Sequence, residues 1–358
     1  MSDFALPEGA AIKPIRWYRS PLTKEALRSL TQRSDLRGLL QTVPFLLLLA
    51  VTGTAAVLAV GRLPAIAVIA ILFVHGTFYG FLVAGWHELS HGTVFKTRAL
   101  NRIFLRIFSF LGWHDDVLYK QSHVRHHSST LHPPDDLEVV LPVRLHVWAF
   151  LRSAIIDPVD LYRVLANAVR HSLGRLKRGG VSSFGEHPSG EWENKLFPAA
   201  DPEARSRLFT WARLTLLGHA AVCAVGIGTG LWILPVVITF GRFYGGWLVW
   251  LCGNTQHTGL RDNVDDFRLC CRTIRINPFL QFLYFHMNYH ADHHMYAAVP
   301  CYNLSRLHQA IIDDMPRASK GLVGAWGEII EILRKQEKDP SYQHVLELPA
   351  ARQQPSTA

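Results

Sequence analysis

Cysteine and charge are the two things this 358-residue chain has little of. Its five cysteines, Cys223, Cys252, Cys270, Cys271 and Cys301, are odd in number and form no C-x-x-C pair. That excludes a disulfide framework and the cysteine-rich zinc modules, and the adjacent Cys270 and Cys271 read as two reduced thiols. Charged residues make up only 18% of the chain against 49% hydrophobic residues, and mean hydropathy is positive. Few soluble domains have that balance, and it points to a membrane protein. The net charge of +9 is read as basic cytoplasmic loops rather than a nucleic-acid surface. Neither an internal repeat nor a signal peptide is expected, because the N-terminus is polar and the first long apolar run begins only near Val43.

The apolar runs predict an all-α integral membrane fold with four transmembrane helices in two hairpins. Residues 43–60 carry no charge, and residues 63–86 hold His75 as their one histidine. Each is long enough to cross a hydrocarbon core of about 30 Å. Only a tight turn around Gly61 and Pro64 separates them. A second hairpin is expected from spans at about 211–228 and 231–253, with the turn at Gly226–Gly230 and Pro235 early in the returning helix. Lys13, Arg16, Arg19, Lys24, Arg28, Arg33 and Arg37 precede the first span, and the segment from Lys96 to Arg213 is also basic. Both termini and a middle helical cap should therefore be cytoplasmic. The expected organisation is a cytoplasmic N-terminal segment over 1–42, a membrane domain over 43–310, and a C-terminal segment over 311–358. Within these, Leu100–Trp113 reads as an amphipathic helix in the interface plane. Gly179–Pro202 reads as an exposed loop, Gly324–Lys338 as an amphipathic helix, and the residues after Pro349 as disordered. Pro133-Pro134 and Pro142 mark turns.

What the chain has in excess is patterned histidine. The clusters are His87-Glu88-Leu89-Ser90-His91, His123-Val124-Arg125-His126-His127, Asn254-Thr255-Gln256-His257 and His290-Ala291-Asp292-His293-His294, with His286 one turn before the last. On a helix, positions i, i+3 and i+4 share a face, so each cluster can converge on a metal, and an H-x-x-H-H triplet can serve two. Nine imidazoles (His87, His91, His123, His126, His127, His257, His290, His293, His294) suit two ions better than one. Imidazole serves Zn, Cu, Fe and Ni. A closed structural zinc site takes four ligands, often with cysteine, so iron kept open for oxygen fits this count better. Four spans place every cluster on one side of the membrane, whereas three or five would split them. Glu88, Asp115, Asp116, Asp135, Asp136 and Asp292 are acidic neighbours able to orient the imidazoles, Asp292 foremost because it sits inside a cluster. His286 and Asn254 are further candidates for that role.

These motifs together resemble the membrane fatty acid desaturase and hydroxylase superfamily. Its H-x(3–4)-H box and two H-x-x-H-H boxes correspond to His87/His91, His123/His126/His127 and His290/His293/His294, with His257 as the extra histidine after the last span. The flanking HELSHGTVF and NYHADHHMY are also similar to it. The resemblance covers roughly residues 43–310, and all boxes in order make it specific. It implies a four-span helical fold with a cytoplasmic cap, a non-haem di-iron centre and O2 as oxidant. Electrons would come from a separate ferredoxin, Rieske or cytochrome b5-like donor with its reductase. The glycine-bearing second box and L-Q-R-H-S-D-H-H box of membrane alkane hydroxylases are absent. Asn254 precedes His257 by three positions, not by the four of some acyl-CoA desaturases. The nearest resemblance is to a bacterial subgroup loosely called desaturases or hydrocarbon oxygenases, which implies an inner-membrane location.

The expected activity is desaturation or hydroxylation of an unactivated C–H bond, in a lipid or acyl chain that the spans can house. One alternative is oxidation of a small non-lipid metabolite on the same fold. Another, from a different class, is an intramembrane zinc protease, because HELSH also matches H-E-x-x-H with Glu88 as base. That would leave two triplets unexplained. A metal transporter would keep its histidines inside the spans. His187-Pro188-Ser189-Gly190 faintly resembles the haem motif of cytochrome b5 domains but reads as a turn. His75 and His219 read as hydrogen-bonding histidines between spans. Arg242, well inside the fourth apolar run, is a candidate for a substrate headgroup.

Overall fold

The first membrane helix starts upstream of its apolar run. Ser34 caps it by accepting from the Arg37 N–H, and Asp35 opposes the helix dipole in the first turn. In the computed structural model, which describes residues 14–177 and 189–349, α1 (Lys24–Leu30) leads into α2 (Asp35–Ala59). Then follow α3 (Ala65–Gly80), α4 (Leu82–Ser90), α5 (Arg98–Leu111), α6 (Asp116–Ser129), α7 (Val147–Ala154), α8 (Pro158–Ser172), α9 (Ser189–Leu196) and α10 (Pro202–Gly228). The remaining helices are α11 (Ile233–Ile238), α12 (Trp247–Gly253), α13 (Phe267–Cys270), α14 (Pro278–Leu283), α15 (His290–Met295), α16 (Leu304–Ile311) and α17 (Gly321–Lys338). One two-residue parallel pairing, β1 (Ile274–Arg275) with β2 (Ser319–Lys320), ties α17 to the rest.

Among the described residues, three helical stretches are long and apolar enough to cross a membrane: Asp35–Ala59, Ala65–Ser90 (α3 running on into α4) and Pro202–Gly228. The 25 residues of α2 reach about 37 Å, more than a hydrocarbon core of about 30 Å. Their outward faces stay apolar and exposed, with Leu47 and Val51 on α2, Ile66 and Ile69 on α3, and Leu214 and Leu217 on α10. Such surfaces suit lipid and would be costly in water.

The fourth apolar segment departs from the expected continuous helix over 231–253. It is broken into α11, a single 3-10 turn at Gly241–Phe243, and α12. Pro235 sits inside α11, and Gly245 adopts φ +68°, a value glycine takes without strain. The segment still travels the length of the bundle. Ile233 and Val237 pack with Ala56 near the α2–α3 turn, whereas α12 ends at the loop that carries His257. A break in a helix frees carbonyls from their intrahelical donors, and away from water these need other partners. Side chains of α3, of the loop after α5 and of the segment itself do so instead. His75 Nε2 donates to Val237 O (3.0 Å), Tyr79 Oη to Ile238 O (2.7 Å), Trp113 Nε1 to Thr239 O (2.7 Å) and Tyr244 Oη to Val236 O (3.2 Å). His219 Nδ1 lies 3.2 Å from Thr239 Oγ1 while its Nε2 donates to Phe110 O. The two histidines inside spans are thus interhelical hydrogen-bonders.

The core lies where the ends of α2, α4 and α5 meet the chain that carries α15. Phe45, Phe108 and Phe285 pack there with ring centroids 5.5–5.7 Å apart. Gly85 makes room for the Phe108 ring, where a Cβ would collide. α5 is amphipathic with Ile103 and Ile107 exposed, and α7, not anticipated from sequence, exposes Val147 and Trp148.

The expected exposed loop over 179–202 is overturned for its second part. α9 buries Trp192 and Leu196, which pack with Phe197, Ala204 and Leu208, and Trp192 Nε1 donates to Ser122 Oγ. His187 and Pro188 lie outside the described residues, as does the tail from Ala350. Helix α17 packs against the rest of the described chain. Trp326 Nε1 of α17 donates to Leu251 O, and Ile329 and Ile332 are buried.

Candidate metal centre

Four separate stretches deliver the histidines to one place. α4 carries His87, with His91 at its C-cap, and α6 carries His123, His126 and His127. The loop after α12 carries His257, and α15 carries His290, His293 and His294. Asp115 starts α6 by accepting from the Val117 and Leu118 N–H groups, which fixes the rotation of the triplet. The nine histidines fall into two groups, His87, His91, His123, His127 and His293 in one and His126, His257, His290 and His294 in the other. Within each group, one nitrogen per residue lies within 4.8 Å of all the others. The i and i+4 positions of box two go to the first group and the i+3 position to the second. In the last box, His293 goes to the first group, and His290 and His294 to the second.

For four of the nine histidines, the ring nitrogen that faces away from these groups is held by an acceptor, whereas Nδ1 of His127, His290 and His293 has no hydrogen-bond partner among the described residues. His123 Nδ1 donates to Glu138 Oε1 (2.8 Å), His126 Nδ1 to Asp136 Oδ2 (2.8 Å), His257 Nδ1 to Cys270 O (2.8 Å) and His87 Nδ1 to Glu88 Oε1 (3.1 Å). His294 Nδ1 lies 3.1 Å from Thr130 Oγ1. A proton on Nδ1 leaves Nε2 with its lone pair directed inward. The inward nitrogens have no other use: Nε2 of His87, His293 and His294 is buried with no hydrogen-bond partner among the described residues. His91 Nε2 and His127 Nε2 each lie 3.1 Å from His123 Nε2, and His257 Nε2 lies 2.9 Å from His290 Nε2. Two donors about 2.1 Å from one ion are about 3.0 Å apart at a 90° angle and about 3.4 Å apart at the tetrahedral angle. Each of the two groups is therefore spaced so that it could hold a metal ion.

Burial holds His91, His123, His127, His290, His293 and His294 well below the usual histidine range, and His257 falls to about 3. All are then neutral, the form that binds metal. For His126, burial pulls downward, but the Asp136 carboxylate outweighs it and the net shift is upward.

The fatty acid desaturase family model matches residues 61–324, nearly three-quarters of the chain. The chain belongs to the fatty acid desaturase family. No curated protein matches it.

Within this family member, the other candidate residues are placed as follows. Glu88 lies 3.5 Å from His293 Nδ1 as well as 3.1 Å from His87 Nδ1, so one buried carboxylate faces two imidazoles of the first group. Asp136 orients His126. Asp292 points away from the histidine groups and accepts from Thr273 Oγ1 and His308 Nδ1. Asp115 caps α6, Asp116 pairs with Arg106, and Asp135 pairs with Lys195. Asn254 donates to Trp250 O of its own helix, and His286 Nδ1 meets Gln281 Nε2; neither touches a candidate ligand. Glu138 and Thr130 were missed. Glu138 ends the acidic run that begins at Asp135, and that run after the triplet was the available signal. Arg242 pairs with Asp160 (3.0 Å) and donates to Gly112 O (2.6 Å). With Trp86 and Tyr119 it lines a cavity of about 350 Å³ beside the first group.

His171, also on that cavity, sits between Asp115 (3.7 Å) and Glu193 (3.3 Å). Burial opposes its charge, but the two carboxylates outweigh burial and raise it to about 9. A histidine raised in the folded state stabilises fully below its unfolded pKa of about 6.5 and loses that contribution as pH climbs through about 9. The melting temperature of the detergent-purified protein is expected to fall over that window, with up to about 3 kcal/mol at stake. His171→Gln is expected to flatten the profile. A wild-type profile that is flat from pH 6.5 to 9.5 would contradict the assignment.

Proposed function

We propose that the protein is a membrane-bound, O2-dependent di-iron desaturase or hydroxylase that acts on an unactivated C–H bond of a lipid, acyl or other hydrophobic substrate. The observation that carries this reading is the convergence of nine histidines into two adjacent groups, with the inward nitrogens of His87, His293 and His294 buried and unpartnered among the described residues. Two iron ions held there would supply O2 activation and removal of hydrogen from carbon, given electrons from a separate ferredoxin, Rieske or cytochrome b5-like donor and its reductase. The chain's part is to fix geometry and exclude water. Glu88, Glu138 and Asp136 lock imidazole orientation, while Tyr119, stacked on His123 with centroids 4.7 Å apart, walls the first group. The basic N-terminal segment suits an acidic donor.

The reading places four crossings in a bacterial inner membrane, with α11 and α12 together making the fourth and both termini and the histidine groups cytoplasmic. The chain's return along the bundle to His257 supports it. The zinc-protease alternative requires Glu88 to face an open metal position, yet its Oε1 meets the outward nitrogen of His87. Oxidation of a small non-lipid molecule on the same fold is the second reading, favoured by the modest cavity.

The test is product and metal analysis. Cells expressing wild type are expected to accumulate an O2-dependent oxidised product absent from cells expressing His126→Ala, and the purified protein to hold about two irons per chain. One zinc per chain and no iron would overturn the reading.

A further inference from the structure

The outer faces of α7 and α8 are apolar and exposed. Val147, Trp148 and Leu151 share one face of α7, and Ile155 and Ile156 follow at the turn, 65% and 63% exposed. Tyr162 of α8 is exposed beyond them. An exposed apolar surface of this kind marks contact with another apolar body. Apolar runs of about 10–14 residues are too short to cross a bilayer but long enough to dip into one, and Val147–Ile156 is of that size.

The turn between the two helices sits deep. Its backbone pairs with the break in the fourth apolar segment. Asp157 N–H donates to Phe243 O (2.7 Å), Gly246 N–H to Ser153 O (2.7 Å) and Gly245 N–H to Ile155 O (3.3 Å). The break in turn lies on α3. Gly76 leaves room for Tyr244, Gly245 lies against Phe73 O and the Thr77 N–H, and Trp247 Nε1 donates to Thr77 Oγ1 (3.1 Å). At 1.5 Å per residue, Phe73 to Thr77 stand roughly 12–18 Å beyond Ala65, where the helical stretch Ala65–Ser90 begins. That is about half of a hydrocarbon core of about 30 Å. A second helix agrees, because His75 Nδ1 lies 2.8 Å from Thr52 Oγ1, near the middle of the apolar run over 43–60. Irregular backbone at such depth is tolerated where protein buries it. Here the turn and the break satisfy each other.

Both ends of the pair lie toward the histidine groups. α7 runs antiparallel to α12, with Ser153 at Gly246 and Phe150 on Trp250, so its start lies toward the loop that carries His257. At the end of α8, Ser172 O accepts from Arg213 Nε, the last charged side chain before the apolar length of α10. The residues between are sorted by distance from the turn. Isoleucines occupy the turn itself. Trp148 and Tyr162 stand roughly 10 Å from it along their helices, where interfacial aromatic rings belong. Arg144 before α7 and Arg175 after α8 are exposed. Charges nearer the turn are paired, Arg152 with Asp157 (3.4 Å) and Asp160 with Arg242 (3.0 Å). Burial lowers the Lys177 pKa, Glu193 raises it, and the Arg170 and Arg163 charges add to the lowering. Arg163 thus carries its charge toward the end of α8 and away from the turn, as a snorkelling side chain does.

We infer that α7 and α8 form a re-entrant helical hairpin, which enters the bilayer from the side of the histidine groups and rests Ile155 and Ile156 among the lipid acyl chains. The partner of this surface is the hydrocarbon of the bilayer, and residues 147–172 leave the water-exposed cap to which the sequence assigned them. The inference rests on α2 and α3 as membrane crossings.

Spin labels on single added cysteines test it in the full-length protein, in nanodiscs of phosphatidylcholine and phosphatidylglycerol. Cys223→Ser serves as background, because the other four cysteines are buried. O2 concentrates in hydrocarbon and a nickel(II) chelate stays in water, so the ratio of their collision rates with the label rises with depth. Labels at Ile155→Cys and Ile156→Cys are expected to match Val74→Cys, an exposed position of α3 at the same level. They should exceed Trp148→Cys, which in turn should exceed Arg175→Cys. All five side chains are exposed, so none of the replacements opens the core. Turn labels that read like Arg175→Cys would place the hairpin in water, and turn labels no deeper than Trp148→Cys would lay it flat on the surface. Either result overturns the inference while leaving the crossings intact. Val74→Cys reading like Arg175→Cys would instead remove α3 as a crossing, and the inference with it.

Discussion

Replacing His257 by alanine is expected to lower the metal bound by the purified protein from about two ions per chain to about one, and to cut activity by more than about a hundredfold. The arithmetic of the groups underlies the expectation. His257 belongs to the group of four nitrogens, so its loss leaves three. His91 belongs to the group of five, and its loss leaves four. His91→Ala is therefore expected to keep about two ions per chain while losing activity, so the two variants differ in metal count. Removing a partner that only orients a ligand costs about 10- to 100-fold, and removing the ligand itself costs more. Elemental analysis with parallel turnover assays reads both quantities. If His91→Ala lost an ion and His257→Ala did not, the division into groups of five and four would be wrong.

Glu88→Ala is the second large effect. Its carboxylate faces two imidazoles of one group, at 3.1 Å from His87 and 3.5 Å from His293, and touches none in the other. Metal affinity of one site alone is expected to fall toward the upper end of the 10- to 100-fold range. In a chelator titration, one ion should leave early and the other at the wild-type concentration. Glu138→Ala removes a hydrogen bond to one imidazole of that group, His123, and should cost less. At either position, glutamine retains an acceptor oxygen and should restore part of the loss. Simultaneous loss of both ions from Glu88→Ala would show that the carboxylate acts on the fold rather than on one site.

The histidines were legible because ligation imposes spacing: a metal approached from a helix leaves i, i+3 and i+4 in the sequence, whatever the surrounding residues. The carboxylates were only half legible. Asp292 sits inside a box but, on a short helix between two packed layers, turns toward His308, whereas Glu138, fifteen residues after His123, comes back to it through the turns at Pro133–Pro134. Adjacency in sequence says little about which side of an imidazole a carboxylate reaches. The apolar runs marked the lipid-facing lengths well but not helix ends. Ser34 starts α2 with polar residues that no hydropathy window includes. The fourth run was misread as one helix because hydropathy does not register where a backbone breaks. Trp192, Leu196 and Phe197 were hidden in a stretch dominated by glycine, proline and charge, with too few apolar positions to show a period.

The broken fourth segment bears on how the molecule is made. Six- and seven-residue helices cannot each cross a bilayer, and the carbonyls between them find their donors in His75, Tyr79 and Trp113, all synthesised earlier. This stretch cannot leave the insertion machinery for lipid as a self-sufficient helix. It settles against a scaffold that already offers those donors, and it leads directly to His257. On the proposed four-crossing reading, the histidine group that contains His257 is completed only once those donors are in place.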